Sequence, residues 1–473
     1  QKGCKVGHDK PINIYEMHFG SWKKRGEGQE DWYTYEELAP ILIAYLKEYG
    51  YNYIEIMPLC EYPCDESWGY QDTGYFSPTA RYGKPEELKS FVDQCHQAGI
   101  GVILDFVPVH FAVNDYALAE YDGTALYEYP NMAVGRNEWG SCNFMHSRGE
   151  VCSFLQSSAY YWLREFHFDG LRMDAVGNLI YWQGDANRGE NLAALKFIRT
   201  MNQGLKERVP ECLLFAEDST PYQGVTKAVW EGGLGFDYKW DLGWMHDTLS
   251  YFQADANERR EKYHKLTCSM MYYYNERYIL PLSHDEVVHG KATIAQKMNG
   301  GYDGKFPQAR AFYMYMYAHP GAKLNFMGNE LAQLKEWCEK DELDWILLKF
   351  PIHEAFHKFM ADLNKCYLTN NAFYQRDIRQ DGFEWVDCHQ EQKCMYLFER
   401  ISGDQKILAV FNFSDETQEY TLEKDYAGYE LLLASDMVKY GGKKRYTKKE
   451  KEIKGGKAVF KMGPFSARYY LVK

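Results

Sequence analysis

Short apolar runs and longer amphipathic stretches take turns along this chain from residue 12 to about residue 350. Eight of the short runs read as strands: Ile12–His18, Tyr51–Pro58, Ile100–Val107, Asp169–Asp174, Cys212–Glu217, Phe236–Trp240, Tyr278–His284 and Lys323–Met327. The stretches between them repeat apolar residues at helical spacing. Thr34 to Glu37 forms a capping box ahead of one such run, and Gly50 stands where a helix closes in the left-handed conformation. Pro85 suits a first helical turn ahead of Glu86 and Glu87, and Gly99 ends that helix. Glu150–His167 and Glu190–Arg208 are longer runs of the same kind. Eight strands alternating with helices predict an α/β fold, a (β/α)8 TIM barrel, over residues 1–370.

Residues 111–149, after the third strand, break the rhythm. A loop of that length inside a compact domain is usually functional. Beyond about Asn370 the period changes from helical to strand-like. Phe383–Cys388, Met395–Arg400, Lys406–Phe413, Tyr429–Ala434, Lys457–Met462 and Ser466–Val472 alternate with turn residues, which predicts a C-terminal antiparallel β-sandwich over residues 371–473.

Composition narrows the ligand. A net charge of −13 argues against nucleic acid or an anionic membrane as the main partner, and a neutral substrate fits better. Aromatics make up 16% of the chain, with 40 Tyr. Sugar rings pack their C–H faces on aromatic rings, so the excess mildly favours a carbohydrate, although most single aromatics are core. The 12 Cys are scattered, and the CxxxC of Cys60 and Cys64 has no second pair at zinc-site spacing. Reduced core thiols in a cytoplasmic protein are the expectation, with no metal and no membrane span.

Three predicted strands stop at a carboxylate: Asp174, Glu217 and Asp285. A charge at the end of a buried strand costs solvation energy unless it is paired or used. Each acid alone could equally cap the helix that follows. Three of them at strands four, five and seven point instead to acids gathered on one rim of the barrel. Cleaving a glycosidic bond with retention needs a carboxylate nucleophile and a carboxylic acid/base roughly 5–5.5 Å apart. Arg172, two residues before Asp174, shares its face of the strand and would keep that nucleophile ionised.

The segments Asp105-Phe106-Val107-Pro108-Val109-His110-Phe111, Asp169-Gly170-Leu171-Arg172-Met173-Asp174-Ala175-Val176, Ala216-Glu217-Asp218-Ser219 and Leu282-Ser283-His284-Asp285-Glu286 resemble, in order, the four signature regions of the α-amylase superfamily. The context of Asp285, through Val287-Val288-His289-Gly290-Lys291, resembles the 1,4-α-glucan (glycogen) branching enzymes in particular. So do Ile14-Tyr15-Glu16-Met17-His18-Phe19-Gly20-Ser21-Trp22 and Trp68-Gly69-Tyr70-Gln71-Asp72-Thr73-Gly74-Tyr75. The resemblance implies Asp174 as nucleophile, Glu217 as acid/base and Asp285 as transition-state stabiliser. It implies Tyr70 as the platform under the cleaved sugar, with Asp105, His110, Arg172 and His284 holding that sugar and orienting the carboxylates. It also implies a monomeric transferase that needs no cofactor and acts on glycogen, amylose or a similar α-1,4-glucan, making α-1,6 branches.

Four stretches depart from the family pattern and are expected to border the substrate groove, among them Tyr181–Glu190, which is shorter than its usual counterpart. Val109 stands where calcium-dependent amylases carry an asparagine ligand. The loop Asn143-Phe144-Met145-His146-Ser147-Arg148 lacks the usual Asn-Tyr-Gly-Arg. Asn329-Glu330-Leu331-Ala332-Gln333 replaces the usual Gly-Glu-Phe-Gly-Gln. The family's amino-terminal glucan-binding module has no counterpart in these residues. An α-glucan hydrolase and a non-catalytic glucan-binding homologue are the competing readings, since an acceptor sugar outcompetes water only where positioning favours it.

Overall fold

The computed structural model of the chain describes residues 7–424 and 426–473. The first six residues of the expected barrel region, Cys4 among them, lie outside the described residues. Eight parallel strands close a barrel: β1 (Asn13–Met17), β2 (Tyr53–Ile56), β3 (Gly101–Phe106), β4 (Gly170–Met173), β5 (Leu213–Ala216), β6 (Tyr238–Trp240), β7 (Tyr278–Leu282) and β8 (Ala322–Phe326). Each strand pairs with its sequence neighbours, and β1 closes the ring on β8 with Asn13 opposite Lys323 and Glu16 opposite Phe326. Every one of the eight expected strands is present, seven of them trimmed by a residue or two at one or both ends and the eighth shifted one residue toward the amino terminus.

The outer layer holds α1 (Tyr35–Tyr49), α2 (Pro85–Gln97), α3 (Gly149–Glu165), α4 (Leu192–Arg208), α5 (Leu242–Gln253), α6 (Tyr302–Ala318) and α7 (Pro351–Thr369). Thr34 and Glu37 make the capping box of α1 reciprocally, and Gly50 closes it at φ 77°. One expected repeat departs from the pattern: β5 runs to β6 through residues 217–237 with only a single 3-10 turn, Val229–Glu231. Glu276 organises that segment, accepting the backbone N–H groups of Gly224, Val225 and Thr226 at 2.6, 2.9 and 2.7 Å. A carboxylate thereby satisfies donors that a helix would have paired internally.

Strand alternation sorts the side chains into two cores. One set, Ile14, Tyr53, Ile103, Phe215, Trp240, Ile279 and Leu324, fills the barrel interior. The alternate set, including Ile54, Leu104, Leu171, Leu214 and Leu280, packs under the helices. Gly101 points inward where any Cβ would meet the Tyr53 ring at 2.2 Å, so glycine there lets tyrosine fill the barrel.

The C-terminal region is all-β and antiparallel. Its larger sheet holds β9 (Phe383–Gln390), β10 (Met395–Ser402), β11 (Gln405–Asn412), β13 (Tyr426–Ala434), β14 (Glu452–Gly456) and β16 (Ser466–Val472), in the order β9-β10-β11-β16-β13-β14. A two-stranded ladder, β12 (Gln418–Thr421) with β15 (Val459–Met462), covers one face, where Phe460 packs on Tyr470 at 5.3 Å. The strands β12 and β14 have no counterpart in the pattern read from sequence, because Gln418–Thr421 and Glu452–Gly456 are polar or glycine-rich. The sheet is anchored to the barrel through α6: Arg310 Nε donates to Ser435 O at 2.7 Å and Arg400 Nη1 to Ala318 O at 2.8 Å.

Candidate active site

At the C-terminal mouth of the barrel the interior turns from apolar to charged. Glu16 of β1, Glu55 of β2, Asp105 of β3 and Arg172 of β4 are all buried there. Arg172 lies over the Trp240 ring at 4.5 Å. Its Nη1 donates to Asp105 Oδ1 and Oδ2 at 2.7 and 2.9 Å and to Asp174 Oδ1 at 2.8 Å. Its Nη2 lies 3.3 Å from Glu217 Oε2. One planar guanidinium therefore collects three carboxylates that burial alone would drive neutral. It stays charged in return: burial opposes its charge, and Asp105, Glu217 and Asp174 outweigh burial.

Asp174 and Glu217 end neighbouring strands, with β4 Met173 in register with β5 Ala216. The chain then turns at Ala175, a non-glycine residue held at φ 47°. That left-handed conformation costs an alanine about 1 kcal/mol, and it aims the Ala175 N–H at Glu217 Oε2, 2.7 Å away. Burial raises Asp174 to about 6, with Asp105 and Asp285 adding to the shift and Arg172 opposing it. Glu217 is raised further, to about 7, by burial and then by Asp174 and Asp285, again against Arg172. Two carboxyls with unlike proton affinities are what separates an acid from a nucleophile.

After β7, a 3-10 turn from His284 to Val287 delivers the third acid. Asp285 is the most open of the three, its side chain 48% exposed. Burial pushes its pKa up, but His284, Arg172, Lys291 and His289 together hold it below the usual carboxylate range. His284 Nε2 sits 3.5 Å from Asp285 Oδ1. Tyr70 reaches in from the loop after β2, donating to Asp105 Oδ2 at 2.5 Å while its ring stacks on His284 at 5.4 Å. His110 bonds Tyr70 O through Nε2 at 2.9 Å and Asn137 Nδ2 through Nδ1 at 3.0 Å. Burial lowers it to about 4, so it is neutral, donating from Nε2 and accepting at Nδ1. Both its ring nitrogens are thus taken up by the protein.

All eight predicted site residues converge on this one mouth. Above them opens a cleft of about 560 Å³, walled in part by Trp68, Tyr70, Trp139, Asn178, Gln183 and His289. Several participants escaped the sequence reading. Glu16 and Trp240 carried a readable signal, because both continue the inward alternation of β1 and β6. Asn137 and Trp139 carried none, lying in the irregular insertion 111–149. Of the departing stretches, Asn143 reaches the cleft wall by donating to Gln183 Oε1 at 3.2 Å. Glu330 does not border the groove: it accepts from Tyr15 and Tyr45 at 2.7 and 2.6 Å, behind β1. The outward strand face of Tyr15 dictates that direction.

Comparison with known proteins agrees with this architecture. The family described as alpha amylase, catalytic domain, matches residues 42–123, and the alpha amylase C-terminal all-beta domain matches residues 385–473. The α-amylases of Anoxybacillus and of Geobacillus thermoleovorans, the latter solved with acarbose, superpose with a TM-score of 0.73 over 98% of both chains at 16% identity, which shows the fold. A 1,4-alpha-glucan branching enzyme GlgB of Fusobacterium nucleatum is 47% identical over 92% of this chain and 72% of its own length. The chain belongs to the 1,4-alpha-glucan branching enzyme family. Family members from Geobacillus stearothermophilus, 44% identical, and Bacillus subtilis, 43% identical, are covered over 68% and 73% of their lengths. Branching enzymes of this family therefore share with the chain both the barrel and the all-β region behind it. Among the described residues, no helix is long and apolar enough to cross a membrane.

Proposed function

We propose that the chain branches α-1,4-glucans by retaining transglycosylation, with Asp174, Glu217 and Asp285 as the working groups. The observation that carries the reading is the single guanidinium of Arg172 holding Asp174 and Glu217 at 2.8 and 3.3 Å beneath an open cleft, in a chain of this family. Asp174 attacks the anomeric carbon while Glu217 protonates the departing 4-oxygen, leaving the glucan bonded to Asp174. Glu217, now ionised, takes the proton of an acceptor's 6-hydroxyl as that oxygen displaces Asp174. One α-1,4 bond is exchanged for one α-1,6 bond, and no water is consumed. Asp285, kept anionic, faces the positive charge that develops on the sugar ring. Tyr70 supplies the platform beneath that ring, Asp105, Arg172 and His284 orient it and its carboxylates, and His110, bonded to Tyr70 O and Asn137, holds that platform in place.

A polymeric neutral substrate suits a cleft lined by aromatics in a chain of net charge −13. The eleven described cysteines are unpaired, which supports a reducing, cytoplasmic setting, and a monomer completes the reading. Amylose treated with the protein should lose iodine colour while reducing ends stay nearly constant. Debranching the product should then release short chains whose lengths report the transferred segment. Reducing ends that rise in step with the colour loss would establish a hydrolase instead.

The proton affinities set the pH response. Activity should fall as pH drops through about 6, where Asp174 takes up a proton and loses its nucleophilic pair. It should fall again as pH rises through about 7, where Glu217 loses the proton it must donate. The two limbs belong to the interacting pair rather than to either group alone. A profile of kcat/KM against pH checks this, and a flat profile from pH 5 to 9 would refute it.

A further inference from the structure

The buried acid of β1, Glu16, has no part in the steps above. It is 1% exposed, yet its carboxylate is fully engaged. Oε1 lies 2.5 Å from Nδ1 of His284, and Oε2 accepts the backbone N–H of the same residue at 3.1 Å. Two donors of one residue, ring and backbone, grip the two oxygens of one carboxylate. That fork fixes both the ring orientation and the tautomer, since Nδ1 must carry a proton. The ring is further clamped by Tyr70 stacked at 5.4 Å and by Trp68 edge-on at 5.8 Å.

We propose that Glu16 is a positioning residue for the transfer reaction: it holds His284 as a fixed, charged donor whose Nε2–H faces Asp285 and the sugar beside it. The inference rests on the reading of Asp285 as a working group. The groups around the ring agree with it. Glu55, the register partner of Glu16, is pushed well up by burial and by Glu16 itself, so it stays neutral and does not compete for the histidine. His18 is driven down to about 3 by burial, Arg81 and His284, so it stays neutral too. Arg172 and burial oppose a proton on His284, but Asp285 and Glu16 outweigh them and lift it to about 9. His284 thus stands as a positive group between the carboxyls of Glu16 and Asp285, 2.5 and 3.5 Å from its two ring nitrogens. Asp285 is thereby kept ionised through the pH range in which Glu217 is still an acid.

Glu16→Gln tests the inference, because the amide keeps the size and one acceptor but removes the charge. We expect kcat to fall roughly tenfold to a hundredfold, by analogy with the range for carboxylates that orient metal-ligating histidines, with KM nearly unchanged. The alkaline limb of the pH profile should steepen and move to lower pH once His284, no longer held by Glu16, loses its proton in the same range as Glu217. A merely structural role would lower the melting temperature without moving that limb. In the unaltered protein the imidazole resonances of His284, assigned by comparison with His284→Asn, should show both nitrogens protonated at pH 8. A folded Glu16→Gln variant with an unmoved profile would overturn the proposal, and so would a neutral His284 at pH 8. The resonance decides the matter by itself if Glu16→Gln does not fold. Asp174→Ala separates the two levels: full turnover in that variant defeats the carboxylate reading, whereas an inactive Asp174→Ala beside an unaffected Glu16→Gln defeats only the role of Glu16.

Discussion

Asp174→Ala should lower the branching rate by a factor on the order of 10⁴ or more while the protein stays folded. The size of the effect follows from the covalent route, because without the carboxylate no glycosyl-enzyme forms and the acceptor must displace the leaving group directly. The fold should tolerate the change. Asp174 is only one of three carboxylates on Arg172, and Asp105 keeps its own two hydrogen bonds to that guanidinium. Two further measurements tie the loss to the bond rather than to the charge. Azide fits the space left by the carboxylate and attacks from the same side, so it should restore cleavage and give a glycosyl azide of inverted configuration. An α-glucosyl fluoride needs no proton to leave, so it should load Asp174 in a Glu217→Gln variant, visible as a hexose mass on the peptide carrying Asp174. Turnover of Asp174→Ala near the unaltered rate would remove the nucleophile assignment.

Much of this arrangement was legible before the structure, and the reason lies in strand periodicity. A barrel strand buries alternate residues inward, so a charged residue at its last inward position has nowhere to go but the mouth. Asp105, Arg172 and Glu217 announce themselves in this way, and Glu16 and Trp240 obey the same rule. Boundaries blur by a residue or two because apolar residues continue past the last ladder bond, as at Met57 and Val107, both buried beyond their strands. The turn that replaces a helix between β5 and β6 was less legible. Its order comes from Glu276, more than forty residues later, and no local pattern encodes a partner so distant. The same holds for Asn137: only the folded insertion carries it to His110. Local propensity writes the frame and the inward acids, whereas contacts between distant loops write the rest.

Replacing Arg172 with Met should damage stability and catalysis together. The side chain is 1% exposed and serves Asp105, Asp174 and Glu217 at once. Met fills similar space over Trp240 but leaves those carboxyls without their cation, and breaking a buried ion pair from one side costs about 3–5 kcal/mol. The penalty has a sign in pH. Asp105 and Asp174 sit at about 6 and Glu217 at about 7, in each case raised first by burial. An acid raised in the folded state binds its proton more tightly there than in the unfolded chain, so folding gains stability as pH falls through the folded value. Without Arg172 these values climb further, so the variant should be most impaired near pH 8 and recover part of its deficit near pH 5.5. Urea midpoints at both pH values measure this, and equal deficits would reduce the role of Arg172 to packing. Arg172→Lys should recover little activity, since one ammonium lacks the fork that reaches Asp105 and Asp174 from Nη1 and Glu217 from Nη2. The nucleophile would then be protonated at the pH where Glu217 is still an acid, and the two roles would no longer coexist in one site.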